Sequence, residues 1–151
     1  DREDPRRACG GEGRVSDEGL LLAFRAGGER FAVPLDRVRE AARPRRIAPL
    51  PGAPPEWSGV ALVRGEALGV IDVAVAMGLP HAPAKPAPLV VVLYGSDHAL
   101  LVDSIDGVES YPVGRVAPPP PGRGALHGVV AEEEGFLSLL DVDRLAARGE
   151  R

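Results

Sequence analysis

The stretch Gly59-Val60-Ala61-Leu62-Val63-Arg64-Gly65-Glu66-Ala67-Leu68-Gly69-Val70-Ile71-Asp72 is answered near the end of the chain by Gly128-Val129-Val130-Ala131-Glu132-Glu133-Glu134-Gly135-Phe136-Leu137-Ser138-Leu139-Leu140-Asp141. In both, Gly-Val opens a segment that closes 13 residues later on an aliphatic-Asp pair, and the two copies lie 69 residues apart. Each reads as two short apolar strands around a polar, Gly-containing turn, which is the pattern of a hairpin. Asp72 and Asp141 then stand where a helix N-cap belongs, ahead of Val73 to Met77 and of a C-terminal helix at about 141–148.

Working outward, Leu35-Asp36-Arg37-Val38 resembles Val102-Asp103-Ser104-Ile105 at an offset of 67 residues. Each follows a strand, a turn and a strand: Leu20 to Phe24 and Phe31 to Leu35 around Gly27-Gly28, and Leu89 to Leu93 and Ala99 to Val102 around Gly95 to His98. Asp36 is expected to cap a short helix, Arg37 to Ala42, that stops before Arg43-Pro44 because a residue preceding proline is pushed out of the α region. A similar capped turn is expected after Val102. Pro34 inside the second strand suits an edge or a bulge. Ile47 to Pro55 and Pro80 to Pro88 are Pro-rich connections. Two similar units of about five short strands predict an all-β fold of two small barrels, the first at about 20–80 and the second at about 88–140, behind a flexible polar tail at 1–19.

A chain of 151 residues is long enough to bury a core without staples, and with aromatics at only 4% that core is built from Val, Leu and Ala. A formal net charge of -4 argues against a nucleic-acid partner, because phosphate binding needs a basic face. Cys9 is the single cysteine, so a Cys-rich metal site and an intrachain disulfide are excluded. Residues 1 to 18 hold no apolar run of signal-peptide type, and no run of 18 apolar residues occurs, so the expectation is a soluble protein of the reducing cytoplasm without direct membrane insertion. Position 1 is not Met, which leaves open that the chain is part of a longer one.

Catalytic and metal chemistry find no support in the residues. His81, His98 and His127 lack partners at metal-ligand spacing. Ser58 lacks the Gly-x-Ser-x-Gly elbow that presents a nucleophile, and Ser138 alternates within a strand. Gly10-Gly11-Glu12-Gly13 follows no strand and carries no Lys, so it is not a phosphate loop. The carboxylates at Asp103, Asp106 and Glu132 to Glu134 read as solvated turn residues and a cap. No catalytic residue, metal or cofactor is expected. Glu40 and Arg64 stand out instead, as isolated charges in apolar or Pro-rich surroundings, although taken alone each is an ordinary surface group; their repeat counterparts near Asp106, Glu109 and Glu133 lack the opposite-charge pattern.

Taken together, Leu20 to Phe24, Phe31-Ala32-Val33-Pro34-Leu35, Val38-Arg39-Glu40, Pro54-Pro55-Glu56-Trp57-Ser58-Gly59-Val60, Val63-Arg64-Gly65, Leu101-Val102-Asp103 and Leu139-Leu140-Asp141 resemble the CheW-like domain family over about residues 20 to 147. The resemblance implies two five-stranded, SH3-like barrels and a non-catalytic adaptor, which couples the cytoplasmic signalling tip of a chemoreceptor to the regulatory domain of a CheA-type histidine kinase. It also leaves an alternative, a kinase regulatory domain or a divergent relative that binds only one of these partners. By motif, Val38, Glu40, Gly59 and Arg64 match positions implicated in partner binding, with Glu40 and Arg64 as an ion pair; Val60 and Leu62 are the apolar candidates beside them. The chain departs from the family pattern at Ala41 and at Ala61-Leu62-Val63, next to Arg64.

Overall fold

The computed structural model describes residues 18–79, 88–95, 97–121, 125–133 and 135–148. The strands are β1 (Glu18–Ala26), β2 (Glu29–Pro34), β3 (Val38–Ala42), β4 (Trp57–Val63), β5 (Glu66–Asp72), β6 (Leu89–Leu93), β7 (His98–Val102), β8 (Ser104–Pro112), β9 (Leu126–Glu132) and β10 (Gly135–Leu140). Two helices accompany them, α1 (Val73–Ala76) and α2 (Val142–Arg148). The expected tail at 1–19 and the His81 connection fall almost wholly outside the described residues.

The strands form two five-stranded sheets, ordered β8-β1-β2-β10-β9 and β3-β6-β7-β5-β4. If β1 to β5 and β6 to β10 are the two repeats, both sheets have one plan: the third strand of one repeat, the hairpin of the other, then the fifth and fourth strands of the first. The sheets therefore do not follow the halves of the chain, as a split at about residue 80 had implied. Each half lends its first hairpin to the barrel of the other. In both sheets the lent hairpin joins by one antiparallel ladder, β1 to β8 or β6 to β3, and one parallel ladder, β2 to β10 or β7 to β5.

Burial follows from this exchange. Ala61, Val63, Leu68, Val70, Val90, Val92 and Ala99 fill one barrel, and Leu21, Ala23, Ala32, Val130, Leu137 and Leu139 fill the other. The alternate residues of the same strands, among them Leu22, Phe24, Phe31, Val33, Ile71, Val91 and Leu100, face a third core between the barrels. Strands buried on both sides need apolar residues at every position, which is why Leu89 to Leu93 reads as an unbroken run. With only three phenylalanines and one tryptophan in the chain, Phe24 and Phe31 supply the largest fully buried rings, stacked at 6.2 Å.

Three local expectations change. Arg37 to Ala42 is not a helix: a 3-10 turn, Leu35–Arg37, leads straight into β3, and Asp36 makes no side-chain cap. Six residues, with a β-branched Val at the second position and Arg43-Pro44 just beyond the end, gain little as a helix, whereas β3 gains a ladder to β6. The capped turn expected after Val102 is likewise replaced by β8, whose residues alternate between exposed and half-buried. As an edge strand of mixed polarity, β8 has too weak an apolar alternation to be read from sequence. Pro34 ends β2, which is a central strand; its residue lies beyond the ladder with β10, where no N–H is required. The caps at Asp72 and Asp141 are present, accepting from the N–H groups of Val75 at 3.3 Å and Arg144 at 3.1 Å.

Candidate partner-binding surface

Each sheet closes where its edges meet, and the closures match. The chain leaving β3 crosses the outer edge of β4, with Ala48 and Val60 exchanging two backbone hydrogen bonds of 2.8 Å; Ala117 and Val129 repeat the bridge at β9. The strap lies close because glycine stands beside it. A Cβ on Gly59, which has φ +146°, would run into the Ala48 carbonyl, and one on Gly128 would come within 2.6 Å of the Ala117 carbonyl oxygen. Gly59 therefore has a structural duty in holding the strap against β4. Bulges also repeat: Arg39 is the extra residue opposite β6 and Asp106 the extra residue opposite β1.

Glu40 and Arg64 meet at the seam of the first barrel. Glu40 lies on β3, one edge of the sheet, and Arg64 occupies the two-residue β4–β5 turn at the other edge, with φ 52° followed by Gly65 at φ 80°. The paired positive φ values are those of the tight turn whose twist suits a hairpin. Arg64 Nε donates to both carboxylate oxygens of Glu40, at 2.9 and 3.1 Å. The bulged Arg39 adds a second tie across the seam, 3.0 Å from Glu66 and 3.5 Å from Glu40. The Arg64 hydrogen bond, aided by the charges of Arg64 and Arg39, holds the Glu40 carboxyl below its ordinary value. Arg39 is raised, chiefly by its bond to Glu66.

The pair is asymmetric. The Glu40 side chain is 20% exposed and that of Arg64 is 77% exposed, so the carboxylate orients the guanidinium while most of the latter faces solvent. Beside it on β4, Ala61 and Val63 point into the barrel, and Val60 and Leu62 point out; Leu62 is 67% exposed and lies opposite the exposed Ala67. Val60 is half-buried under the strap, and Val38 is half-buried against the central core. Of the six residues singled out in the sequence, Leu62 and Arg64 are exposed and Glu40 pairs with Arg64, while Val38 and Val60 are half-buried and Gly59 is buried.

The second barrel carries a charged seam that sequence reading did not find. Arg30 on β2 donates through Nη1 to both oxygens of Glu132 on β9 at 2.6 Å, through Nη2 to Glu109 on β8 at 2.5 Å, and through Nε to Asp106 at 3.0 Å. These bonds, that to Glu132 foremost, raise the Arg30 guanidinium above its ordinary value. Glu109 and Glu132 sit on opposite edges of the sheet, so one arginine clasps the barrel. Because the arginine comes from the lent hairpin, the opposite charge is absent at the repeat-equivalent position and the clasp cannot be seen by comparing halves.

Among the described residues no group of three or more His, Cys, Asp or Glu could hold a metal ion. His127 is exposed on β9, 3.8 Å from Asp141, and His98 opens β7 in edge contact with the Trp57 ring at 5.0 Å.

Residues 20–150 match the model of the CheW-like domain. The chain is 33% identical over 149 residues to FrzA of Myxococcus xanthus, spanning 93% of this chain and 92% of that protein. It is 32% identical over 123 residues to PilI of Pseudomonas aeruginosa, covering 77% and 69%, and 28% identical over 138 residues to the chemotaxis protein CheW of Rhizobium meliloti, covering 87% and 89%. The crystal structure of the scaffolding protein TtCheW from Thermoanaerobacter tengcongensis superposes with a TM-score of 0.71 over 81% of this chain and 88% of that one; at 19% identity this likeness concerns the fold. Family match, relatives and double-barrel topology agree: the chain belongs to the CheW-like domain family, the coupling adaptors of chemotaxis-type signalling.

Proposed function

We propose that the chain couples the cytoplasmic signalling tip of a chemoreceptor to the regulatory domain of a CheA-type histidine kinase, and that it does so by binding alone. The observation that carries this reading is the surface at the first seam, where exposed Leu62 lies one strand position from the turn holding Arg64, and Arg64 is oriented by Glu40. An apolar side chain beside a pre-aligned, solvent-facing guanidinium is what a protein interface uses as an anchor. Holding Arg64 in one orientation before binding lowers the ordering cost of association. Val38, Gly59 and Val60 contribute by fixing β3, the strap and β4 beneath that surface. The family's coupling role supports a non-catalytic adaptor.

A cytoplasmic location, with recruitment to receptor arrays through partners, follows from the same reading; no helix among the described residues is long and apolar enough to cross a membrane. The test is a binding titration of the chain against the cognate kinase regulatory domain and, separately, against a receptor signalling fragment. Binding to both supports a two-sided coupler. Binding to one alone identifies the one-sided relative. If neither binds at tens of micromolar, an affinity well within reach of transient signalling contacts, coupling is refuted.

A further inference from the structure

The N-terminal hairpin β1–β2 is held by the rest of the chain as a separate body would be. Its strands pair with β8 and β10 and share no ladder with β3, β4 or β5, the strands that follow it. Its polar contacts run the same way. Arg25 and Arg30 reach Asp106, Glu109 and Glu132; the Gly27 N–H donates to the Asp103 carboxylate at 3.0 Å, and the Asp103 N–H to the Arg25 carbonyl at 2.8 Å.

The link from the hairpin to β3 is the 3-10 turn Leu35–Arg37, entered from Pro34 and without a side-chain cap. Three contacts hold it: Leu35 packs against the central core, the Tyr94 N–H donates to the Arg37 carbonyl at 2.7 Å, and the Arg37 side chain donates to both Asp143 oxygens on α2, at 3.1 and 3.2 Å, and to the Tyr94 carbonyl at 3.3 Å. Straightening three residues from a 3-10 rise to a strand rise lengthens the link by about 4 Å. Within one molecule the fold already completes each barrel with a hairpin from the other half.

We propose that a second copy of this chain is a binding partner through exchange of the β1–β2 hairpin, with Pro34 to Arg37 as the hinge and Arg37–Asp143 as its latch. Every ladder and ion pair of the hairpin forms again against the β8, β9 and β10 of the second copy. The exchange therefore costs only the association and the opening of the hinge, which makes a swapped dimer accessible to a short, proline-led link. This dimer is separate from the coupling surface, since Glu40, Leu62 and Arg64 lie on the other sheet.

The test uses the full chain with Cys9→Ser, Leu20→Cys and Ser110→Cys, the last two being directly opposed and exposed on β1 and β8. Protein refolded from urea at low and at high micromolar concentration is treated with a short bis-maleimide, separated by size, and run on denaturing gels. The expected result is a dimer fraction that grows with concentration and stays covalently dimeric after denaturation, while the monomer fraction is cross-linked within one chain. Adding Asp143→Asn, which alters an exposed side chain, should raise the dimer fraction severalfold. A dimer that falls to single chains on denaturation overturns the proposal, as does the absence of dimer at high concentration in both backgrounds.

Discussion

Replacing Gly59 by Ala tests how the strap is held against β4 at the first barrel. Two costs follow from the structure. The backbone at Gly59 has φ +146°, a conformation essentially reserved for glycine, and holding another residue there costs about 1–3 kcal/mol. The added methyl also collides with the Ala48 carbonyl, well inside the 3.0 Å that real Cβ atoms respect, and the obstacle is backbone rather than a side-chain tip that can swing away. Relief requires the strap to leave β4, breaking the two Ala48–Val60 hydrogen bonds at a net cost of about 1 kcal/mol each. The sum is about 3–5 kcal/mol, or roughly 10 °C in Tm for a domain of this size. Gly65→Ala is the matched control: its φ is +80° and its Cβ would meet open space, so only backbone strain of about 1 kcal/mol applies. Urea unfolding followed by circular dichroism and by the fluorescence of Trp57, the single tryptophan, measures both variants. Equal losses in the two would show that the Ala48 carbonyl is no obstacle, since it alone distinguishes the surroundings of the two added methyls. A Gly59→Ala protein of wild-type stability would show that the strap is not held against β4.

Arg64→Glu should weaken binding to the partner that docks at the first seam by tenfold or more, on the scale of an interface hot spot, with Tm nearly unchanged because the side chain is 77% exposed; a large loss of Tm would make Arg64 structural instead. The Glu40 carboxyl, followed by carbon NMR, should titrate below its ordinary 4.5 and return toward that value in Arg64→Gln. Since the folded value is depressed, any stability from the pair is fully present above the ordinary carboxylate range, including neutral pH, and is lost only as pH falls through the depressed value. Arg30→Leu leaves Asp106, Glu109 and Glu132 facing one another across the second seam. It should lower unfolding stability by about 1–2 kcal/mol at low ionic strength and by less in high salt, where the remaining repulsion is screened; a deficit insensitive to salt would argue against an electrostatic clasp.

Periodicity and punctuation in the sequence were enough to determine the all-β class, the four hairpins that open or close the repeats, the caps at Asp72 and Asp141, and the duplication itself. These are local properties: a strand face, a turn needing glycine or a helix end needing a carboxylate leaves its mark within a few residues. Motif resemblance brought Glu40 and Arg64 forward, and their pairing depends on a barrel closing so that strand edge and hairpin tip meet. Which half each barrel borrows its hairpin from is set by long-range pairing alone. Ladder partners such as β2 with β10 lie about a hundred residues apart, and alternation along one strand says nothing about its neighbour. The Arg30 clasp was hidden for the same reason, because its cation and its carboxylates come from opposite halves of the chain. β3 and β8 escape a reading of the sequence because edge strands bearing charged residues look like turns until a partner strand supplies their hydrogen bonds.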